Sequence, residues 1–259
     1  MSDLDLVSSR PLGEAQNHNL SHVLVLGASS KIGAALAQAF APNSRLVLVG
    51  RDPERLAQAA EMCRNAGALH VDFVSVDLSS DMVPLIQTLA TTYIHLIIDA
   101  ASSSSAKRDN EIGPDDIGAL VAGDFLSRLK LLDYMKRVQG PVPAVIFIST
   151  VLTLVRSPGR EVYSSLKRLD EIYFTKLRDT GAVSHLLIVH VGKVIDKNNG
   201  ACEAEKLATV VSSAFRLKRT EMLYGLSGRL FVILFYFQPL LFAGVALAQR
   251  SLRTLLGRR

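Results

Sequence analysis

Short apolar runs alternate with longer amphipathic stretches from residue 22 onward. The runs are rich in Val, Ile and Leu, and they occupy residues 22–26, 45–50, 70–76, 94–100, 144–150 and 185–191. Runs of this kind are typical of strands that are covered on both faces, as in a parallel sheet. Helical patterns fall between them, near 31–41, 53–66, 80–92, 114–138, 161–180 and 203–219. Pro53 and Pro114 indicate the starts of two of these helices.

This alternation predicts an α/β fold, a doubly wound parallel sheet of the Rossmann-like type. Its ligand site is expected at the carboxyl ends of the strands. We expect one such catalytic domain over residues 22–224, a flexible polar arm over 1–21 and an extension over 225–259. The arm carries four charged residues and lacks an apolar core, so it does not have the pattern of a secretory signal.

The positive charge of the chain is concentrated near its carboxyl end. The 259 residues carry a net charge of +5, but residues 216–259 alone hold eight Lys or Arg against the single Glu221. The rest of the chain is therefore slightly acidic, which disfavours nucleic-acid binding by a basic folded face. The two cysteines are too few for a disulfide framework, which favours a reducing compartment such as the cytoplasm. The histidines show no metal-ligand spacing.

The extension combines an uncharged apolar stretch with a basic end. Residues 230–248 contain no charge, and Pro239 interrupts them at the midpoint. The length approaches that of a bilayer span, but the proline favours two short segments that enter and return. We therefore expect residues 229–259 to attach to a membrane surface, at its cytoplasmic face, with the terminal arginines near anionic headgroups. An oligomer interface and a true span remain as alternatives.

A glycine-containing turn lies directly between the first strand and the first helix. Such a turn lets backbone N–H groups approach a pyrophosphate, whose charge the positive end of the helix stabilises. The alternative is an ordinary tight turn without a ligand. The candidate cofactor-binding residues of this turn are Gly27, Ser29, Ser30, Lys31, Ile32 and Gly33.

The second strand ends in Gly50 and Arg51, near the place where a binder of NAD would carry an acidic residue. An arginine there suits a 2′-phosphate, and Lys31 adds a second positive charge. This pairing of charges favours NADP(H) over NAD(H) as the cofactor. Alternatively, Arg51 is a solvated loop residue that pairs with Asp52 or Glu54.

Tyr163 and Lys167 stand four residues apart on a predicted helix, so their side chains share one face. A neighbouring ammonium group lowers the pKa of a phenol by favouring the phenolate. Taken alone, the pair is equally typical of an amphipathic helix face. Ser149 and Thr150, however, end the preceding strand at the sheet edge where a cofactor is expected.

The motifs GASSKIG, VGR, VDL, IIDAAS, FIST and YSSLK, in this order, resemble the short-chain dehydrogenase/reductase family over residues 22–196. The resemblance implies that Tyr163 donates a proton to a carbonyl. It also implies that Lys167 holds the nicotinamide ribose and lowers the tyrosine pKa. Thr150 would hydrogen-bond the substrate oxygen, and Ser149 could substitute for it. The further cofactor contacts that the resemblance implies are Asp77 and Leu78 at the adenine, Ala100 and Ala101 along the ribose, and Val194 at the carboxamide.

Several positions depart from the family pattern. Lys31 replaces the middle glycine of the turn, and Asp99, Ala100 and Ser102 alter the motif after the fourth strand. Leu120 stands where an asparagine usually supports a proton relay, and a leucine side chain cannot form hydrogen bonds. These departures leave Tyr163 in place, but another group must complete the relay.

These features together predict NADPH-dependent reduction of a ketone, or the reverse oxidation. The apolar extension and the basic loops predict an amphiphilic substrate, since cations near the site suit a phosphate group. Within the family this is similar to reductases of keto-pentoses linked to polyprenyl phosphates. The loop cations are Lys107, Arg108, Arg156, Arg160 and Lys193.

Other interpretations of the function remain open. A fatty or steroidal ketone would suit the apolar extension equally well. The departures also allow a scaffold or sensor that binds NADP(H) at a membrane without catalysis. The long helices predicted near 114–138 and 161–180 resemble those that the family pairs into dimers, so a homo-oligomer is expected.

Overall fold

A seven-stranded parallel sheet forms the centre of the molecule in the computed structural model, with the strand order β3-β2-β1-β4-β5-β6-β7. The structure describes residues 21–79, 82–102, 111–154, 159–192 and 200–225. The strands are β1 (Ser21–Leu26), β2 (Ser44–Gly50), β3 (His70–Ser75), β4 (Leu96–Asp99), β5 (Val142–Thr150), β6 (Val183–Val191) and β7 (Glu221–Tyr224).

Helices cover both faces of this sheet. They are α1 (Lys31–Ala39), α2 (Pro53–Asn65), α3 (Val83–Leu89), α4 (Pro114–Leu120), α5 (Ser127–Gln139), α6 (Glu161–Asp179) and α7 (Gly200–Arg216). A π-helical segment, Val121–Leu126, joins α4 to α5, and a 3₁₀ turn, Val151–Thr153, follows β5. The Asp52 carboxylate caps α2 by accepting the Arg55 N–H, and Pro53 fixes the first turn.

The apolar core consists of two layers, one on each face of the sheet. One layer packs alternate strand residues against α1, α2 and α7, through Leu36, Leu56 and Leu207. The other packs the intervening residues against α3, α5 and α6, through Leu85 and Phe174. Because both faces are covered, the central strands read as continuous apolar runs, as the sequence predicted.

The parallel sheet and the helix starts at Pro53 and Pro114 are confirmed. Two elements differ from the sequence prediction. The single helix expected over 114–138 is divided by the π-helical segment. Residues 221–224 form a seventh strand that the pattern did not reveal, since it is short and pairs along only one edge, with β6. Of the predicted arm over 1–21, residues 1–20 lie outside the described residues, as do residues 226–259 of the predicted extension over 225–259; Ser21 begins β1.

The chain reverses its direction of winding at β1. This strand pairs with β2 on one side and with β4 on the other, so the loops that follow β1 and β4 diverge to opposite faces. A crevice at the carboxyl ends of these strands is the expected ligand site of a doubly wound sheet. Within the described ranges, no helix combines the length and apolar character needed to cross a bilayer.

Candidate active site

A crevice of about 870 Å³ opens at the carboxyl ends of the strands, around the point where the winding reverses. Loops after β1, β2, β3, β4 and β5 line it, together with the start of α6, so it collects residues distant in sequence. The predicted site residues that line it are Gly27, Ser29, Ser30, Lys31, Ile32, Arg51, Asp77, Leu78, Ala100, Ala101, Thr150, Tyr163 and Lys167. Val194 lies outside the described residues.

The glycine turn is held by its own hydrogen bonds. Gly27 adopts a φ of +79°, and a Cβ there would lie 2.7 Å from the backbone of Ala100. The Ser30 hydroxyl donates to Gly27 O at 2.7 Å and accepts the Gly33 N–H at 3.0 Å. A Cβ on Gly33 would lie 2.1 Å from Gly27 O, so Gly33 supports the turn from behind the crevice. Lys31 begins α1, whose positive end therefore faces the crevice and suits a phosphate.

Two arginines lie on the crevice wall beyond this turn. Arg51 follows β2, and Arg55 reaches the same wall from the first turn of α2. The Asp52 carboxylate is used by Arg55, whose Nε lies 3.2 Å from Asp52 Oδ2. Asp52 therefore serves the helix cap and Arg55, which weakens the alternative in which it partners Arg51. Arg55 is a candidate that the sequence analysis missed, although its position four residues after Arg51 was a usable signal.

Asp77 stands at the same wall, after β3. It accepts the Ser79 hydroxyl at 2.7 Å and the Ser79 N–H at 2.9 Å. These two hydrogen bonds, with a smaller contribution from the nearby Arg51 charge, lower the pKa of Asp77. The carboxylate is thus held ionised beside the region where two arginines lie.

Tyr163 and Lys167 lie on the face of α6 that borders the crevice, as their spacing predicted. The Lys167 side chain is buried and donates from Nζ to Ala101 O at 3.2 Å. Its ammonium also lies 5.0 Å from the centre of the Phe147 ring. Burial lowers the pKa of Lys167, and the neighbouring Arg128 charge lowers it further.

The expectation that Lys167 would lower the tyrosine pKa is wrong for this arrangement. The pKa of Tyr163 is raised, because burial of the phenol disfavours the phenolate. The Ser102 hydroxyl and the Arg128 and Arg160 charges offset only part of this effect. The Lys167 ammonium instead donates a hydrogen bond to Ala101 O and packs on the Phe147 ring. Tyr163 therefore carries its proton at neutral pH, the state that a proton donor requires.

Thr150 and Ser149 end β5 with side chains directed differently. The Thr150 hydroxyl accepts the Leu152 N–H at 3.3 Å, which leaves its hydrogen available to a group in the crevice. The Ser149 hydroxyl donates to Glu171 on α6 at 2.5 Å. The Thr150 hydroxyl is thus the better placed of the two to contact a group bound in the crevice.

A buried charge cluster lies directly behind Lys167, and sequence reasoning missed it. At its centre Arg128 is 3% exposed and pairs with Asp99, Asp124 and Asp170, the last at 3.4 Å. Burial opposes the guanidinium charge, but these carboxylates outweigh that effect and raise the pKa of Arg128. The Asp124–Arg128 spacing of four on a helix was a signal, but only the fold brings in Asp99 and Asp170.

Arg128 and Lys167 share one acceptor. Arg128 Nη2 donates to Ala101 O at 2.6 Å, and Lys167 donates to the same oxygen. Arg128 also donates to the carbonyl of Asp124 in the π-helical segment. The guanidinium therefore fixes the loop after β4 and the π-helical segment in relation to the lysine.

The π-helical segment follows Leu120, the position where the family pattern has asparagine. Leu120, Gly123 and Asp124 line the crevice, so the irregular turn faces the site directly. Segments of this kind occur frequently at functional sites. The helix is thus irregular directly after the position where this chain has leucine in place of asparagine.

These groups fit a nicotinamide dinucleotide. The turn at Gly27 admits a backbone approach that a side chain would block, and positive charge at Lys31, Arg51 and Arg55 lies along the same wall. Tyr163 and Lys167 stand at the other part of the crevice, where a reactive ring belongs. No cluster of side chains suited to a metal ion occurs in the parts of the chain that the structure describes.

Comparison with known proteins gives one family. Residues 21–189 match the family model described as short chain dehydrogenase. A curated protein of Mycobacterium tuberculosis, named as an uncharacterized oxidoreductase, is 29% identical over 185 residues, which cover 68% of this chain and 74% of that protein.

Solved structures share the fold at low sequence identity. A short-chain dehydrogenase from Sphingobium yanoikuyae, in complex with NADPH, has a TM-score of 0.68 and 20% identity, over 85% of this chain and 95% of that chain. A bulky-bulky ketone specific alcohol dehydrogenase from Comamonas testosteroni has a TM-score of 0.69 and 19% identity, over 91% and 94%. An alcohol dehydrogenase from Thermococcus sibiricus, complexed with 5-hydroxy-NADP, has a TM-score of 0.67 and 16% identity, over 79% and 96%.

Proposed function

The chain belongs to the short-chain dehydrogenase family and is an oxidoreductase that uses a nicotinamide cofactor; from this premise we propose that it reduces a ketone with NADPH. The observation that carries the proposal is the meeting of Thr150, Tyr163 and Lys167 in one crevice with the glycine turn. A phenol, an ammonium and a hydroxyl in that relation can orient a carbonyl and give it a proton.

The choice of NADPH rests on charge at the far end of the crevice. Lys31, Arg51 and Arg55 offer three cations to a 2′-phosphate, and a bidentate guanidinium suits phosphate geometry. Two of the similar structures are complexes with NADPH or an NADP derivative, which supports the same choice.

The reduced dinucleotide supplies the hydride when it is bound. The protein supplies position and a proton. Thr150 donates a hydrogen bond to the carbonyl oxygen, and Tyr163 Oη gives its proton to that oxygen as the hydride arrives. Lys167 would hold the ribose hydroxyls, and the Arg128 and Arg160 charges, which lower the pKa of Tyr163, favour the phenolate that remains. General-acid help of this kind contributes about 10²- to 10⁴-fold in rate.

The substrate we propose is an amphiphilic ketone whose chain stays in lipid, linked to a polyprenyl phosphate or a similar lipid. The support comes from the sequence: the apolar basic extension over 229–259 and the basic residues of segments that the sequence pattern predicts as loops. Among these loop residues Arg160 is described, directly before α6, whereas Lys107, Arg108, Arg156 and Lys193 lie outside the described residues. A keto-pentose on a polyprenyl phosphate combines the required ketone, anionic group and lipid.

The extension is also the basis for proposing attachment to the cytoplasmic face of a membrane.

We also propose that the chain forms a homo-oligomer through the exposed side of α6. That side carries Leu169, 40% exposed, and Ile172, 57% exposed, beside a groove under the 3₁₀ turn.

Substitution of the tyrosine tests the reaction. NADPH oxidation is followed by absorbance with a polyprenyl-phosphate-linked 2-keto-pentose, a steroid ketone, a fatty β-keto thioester and acetophenone. Tyr163→Phe is expected to lower kcat at least 10²-fold while the NADPH dissociation constant stays unchanged. Tyr173→Phe is the matched control, because Tyr173 lies on the same helix and packs against Phe125 and Phe174. Full activity of Tyr163→Phe would refute the assignment.

The scaffold or sensor is the second candidate function, and the departures at Leu120 and Lys31 favour it. In that case the wild-type chain binds NADPH tightly and oxidises it with no member of the panel. Turnover with any member of the panel excludes this candidate. Preference for the lipid-linked sugar over acetophenone supports the amphiphilic substrate.

A further inference from the structure

A continuous chain of polar contacts runs from the crevice through the protein to β7. The Ser149 hydroxyl donates to Glu171 Oε1 at 2.5 Å, and the Thr153 hydroxyl donates to the same oxygen at 2.7 Å. Thr153 Oγ1 also lies 3.2 Å from His190 Nδ1, and His190 Nε2 lies 2.7 Å from Glu221 Oε1. Each link is within hydrogen-bonding distance.

One end of this chain, Glu221, is exposed to solvent, and the other end is a buried hydroxyl, 4% exposed, at the crevice. Ser149 lines the crevice. The side chains of Glu171 and His190 are 4% and 2% exposed, whereas that of Glu221 is 62% exposed. Burial of a carboxylate and an imidazole carries a desolvation penalty that apolar residues of similar volume would avoid. The chain therefore connects the site to solvent through groups that packing alone does not require.

Every member of the chain can accept a proton and release one. A hydroxyl and a carboxyl group do so at oxygen, and an imidazole can bind a proton at one ring nitrogen and release one from the other. His190 presents Nε2 toward the surface and Nδ1 toward Thr153 and Glu171, with Nδ1 3.4 Å from Glu171 Oε1. The ring thus bridges the exposed and the buried parts of the chain.

The charges around the imidazole come from two elements. Helix α6 contributes Glu171 and Arg168, whose Nη1 lies 2.9 Å from Glu171 Oε2, and β7 contributes Glu221. The neighbouring strand β5 and the 3₁₀ turn contribute only the hydroxyls of Ser149 and Thr153 to these contacts. When the imidazole is neutral, the charged groups around it are the carboxylates of Glu171 and Glu221 and the guanidinium of Arg168. One added proton therefore brings the net charge of these groups to zero.

Ketone reduction consumes one proton from solvent for each hydride transferred, because Tyr163 must be reprotonated after it gives up its own. The relay typical of the family has a leucine, Leu120, at its asparagine position, and a leucine side chain cannot take part. The buried cluster around Arg128 also borders Lys167, but its members Arg128, Asp99, Asp124 and Asp170 are each 3% exposed or less, so none of them reaches the surface as Glu221 does.

We propose that Ser149, Glu171, Thr153 and His190 form a proton path between the crevice and Glu221 at the surface. A proton from solvent binds at Glu221 or His190 Nε2, and His190 Nδ1 releases one to Glu171 Oε1, directly or through the Thr153 hydroxyl. Glu171 passes a proton to Ser149 as the Ser149 hydroxyl gives its own to the crevice. Only O–H and N–H bonds break and form, and no electrons change hands.

The proposal rests on the proposed function, and its test compares variants of the full chain. His190→Ala and Glu171→Gln are assayed with NADPH and the best carbonyl of the panel, at low and high buffer concentration. We expect kcat to fall 10-fold or more in both, with the KM for NADPH unchanged. Added imidazole is expected to restore His190→Ala, because the removed ring leaves a space that Glu221 borders at the surface.

A surface variant covers the case in which the buried variants do not fold. Glu221→Gln keeps the shape of an exposed side chain, and we expect its kcat to fall several-fold at low buffer concentration and recover at high concentration. Glu203→Gln is the control, since Glu203 is an exposed acid on α7 that pairs with Lys206. It is expected to match the wild type in both conditions.

The outcomes separate the two proposals. Wild-type kcat in the His190, Glu171 and Glu221 variants would overturn the path and leave the reaction standing. Loss of activity that neither imidazole nor buffer restores would also overturn it, because the chain would then only tie β5, α6, β6 and β7 together. A wild-type chain without turnover on the whole panel would overturn both the path and the proposed reaction.

Discussion

Arg51 is the residue on which the choice of cofactor depends. Gly50 before it approaches Ser29 so closely that a Cβ would lie 2.6 Å from the Ser29 hydroxyl. An acidic side chain that would favour the ribose hydroxyls of NAD therefore has no room at position 50. Arg51 therefore meets no carboxylate from position 50, and it lines the crevice wall together with Lys31.

Arg51→Ser is expected to weaken NADPH binding by about 10- to 100-fold, the equivalent of one charge-assisted hydrogen-bonding group. The affinity for NADH is expected to change little, since that cofactor lacks the phosphate. The dissociation constants are measured by quenching of tyrosine fluorescence or by calorimetry. Arg45→Ser is the matched control, because Arg45 is an exposed arginine at the opposite end of the same strand. An equal loss for both cofactors would contradict the assignment.

Asp170 is expected to make the free energy of unfolding fall as the pH rises. Burial raises its pKa to about 7, against the opposing attraction of Arg128 and Lys167. Neither of its carboxylate oxygens has a hydrogen-bond donor among the described residues. Because the folded state binds this proton more tightly than the unfolded chain, the Asp170 contribution is favourable at low pH. It is lost as the pH rises from about 4 to about 7.

Asp170→Asn is expected to remove this dependence. The free energy of unfolding of the variant, relative to the wild type, should rise with pH between about 4 and 7, with a slope of at most about 1.4 kcal/mol per pH unit. Above that range the difference should stay constant. Urea unfolding at a series of pH values measures it, with Asp133→Asn on the exposed side of α5 as control. If the free energies of unfolding of Asp170→Asn and the wild type change in parallel with pH, the folded state does not bind a proton at Asp170 more tightly than the unfolded chain does.

At the scale of elements, the turn from β1 into α1 carries the tightest constraint of the site. Gly33→Ala would place a Cβ 2.1 Å from Gly27 O, so the turn and the start of α1 must separate. We expect the NADPH dissociation constant to rise at least 10-fold and the free energy of unfolding to fall by about 1–3 kcal/mol. Fluorescence titration and urea unfolding measure the two effects.

Gly118→Ala provides the comparison for this variant. Gly118 also lies in a helix, α4, but a Cβ there meets nothing within 4 Å. Its replacement by alanine is expected to raise the free energy of unfolding by about 0.5–1 kcal/mol, because alanine favours the helix. Binding of NADPH by Gly33→Ala at the wild-type affinity would show that the turn tolerates separation and is not shaped by a ligand.

Most strands and helices were predictable from the sequence. In a sheet covered on both faces, each strand is a continuous apolar run that can be recognised without knowledge of its partners. The first six strands and the helices that begin at Pro53 and Pro114 follow from such local patterns. The strand β7 does not, because its four residues gain their strand structure only from pairing with β6. The π-helical segment was also hidden, since an added residue in a helical turn barely disturbs the apolar spacing.

The same distinction holds within the site. Tyr163 and Lys167 are one helical turn apart, so their shared face could be read from the sequence. The cluster at Arg128 and the chain through His190 join residues from separate elements, and their partners become neighbours only when the sheet is assembled. The tyrosine pKa was mispredicted for a related reason, because burial depends on the whole fold.

At the scale of the whole molecule, the distribution of charge sets the expected behaviour at a membrane. The slightly acidic remainder and the strongly basic stretch over 216–259 differ in sign, so an anionic surface attracts one end of the chain and repels the rest. This asymmetry would hold the folded domain away from the lipid while the extension lies on it. Such an arrangement suits an enzyme whose substrate presents its polar end above the headgroups.

Replacement of Arg250, Arg253, Arg258 and Arg259 by Gln tests this expectation in the full chain. Each arginine near an anionic membrane contributes about 1 kcal/mol, so the quadruple variant should bind phosphatidylserine vesicles up to about 10³-fold more weakly. Binding of the wild type should also weaken as salt rises from 0.1 to 1 M, because the screening length falls from about 10 to about 3 Å. Vesicle flotation measures both effects.

A control with the same loss of charge replaces four exposed basic residues of the folded domain: Arg45, Arg64, Arg137 and Lys176. This variant is expected to float like the wild type, because the basic extension remains intact. Equal losses in both variants would make net charge, and not its position, the cause of binding. Failure of the wild type to float, together with a larger mass by light scattering, would instead assign the apolar stretch over 230–248 to an interface between copies of the chain.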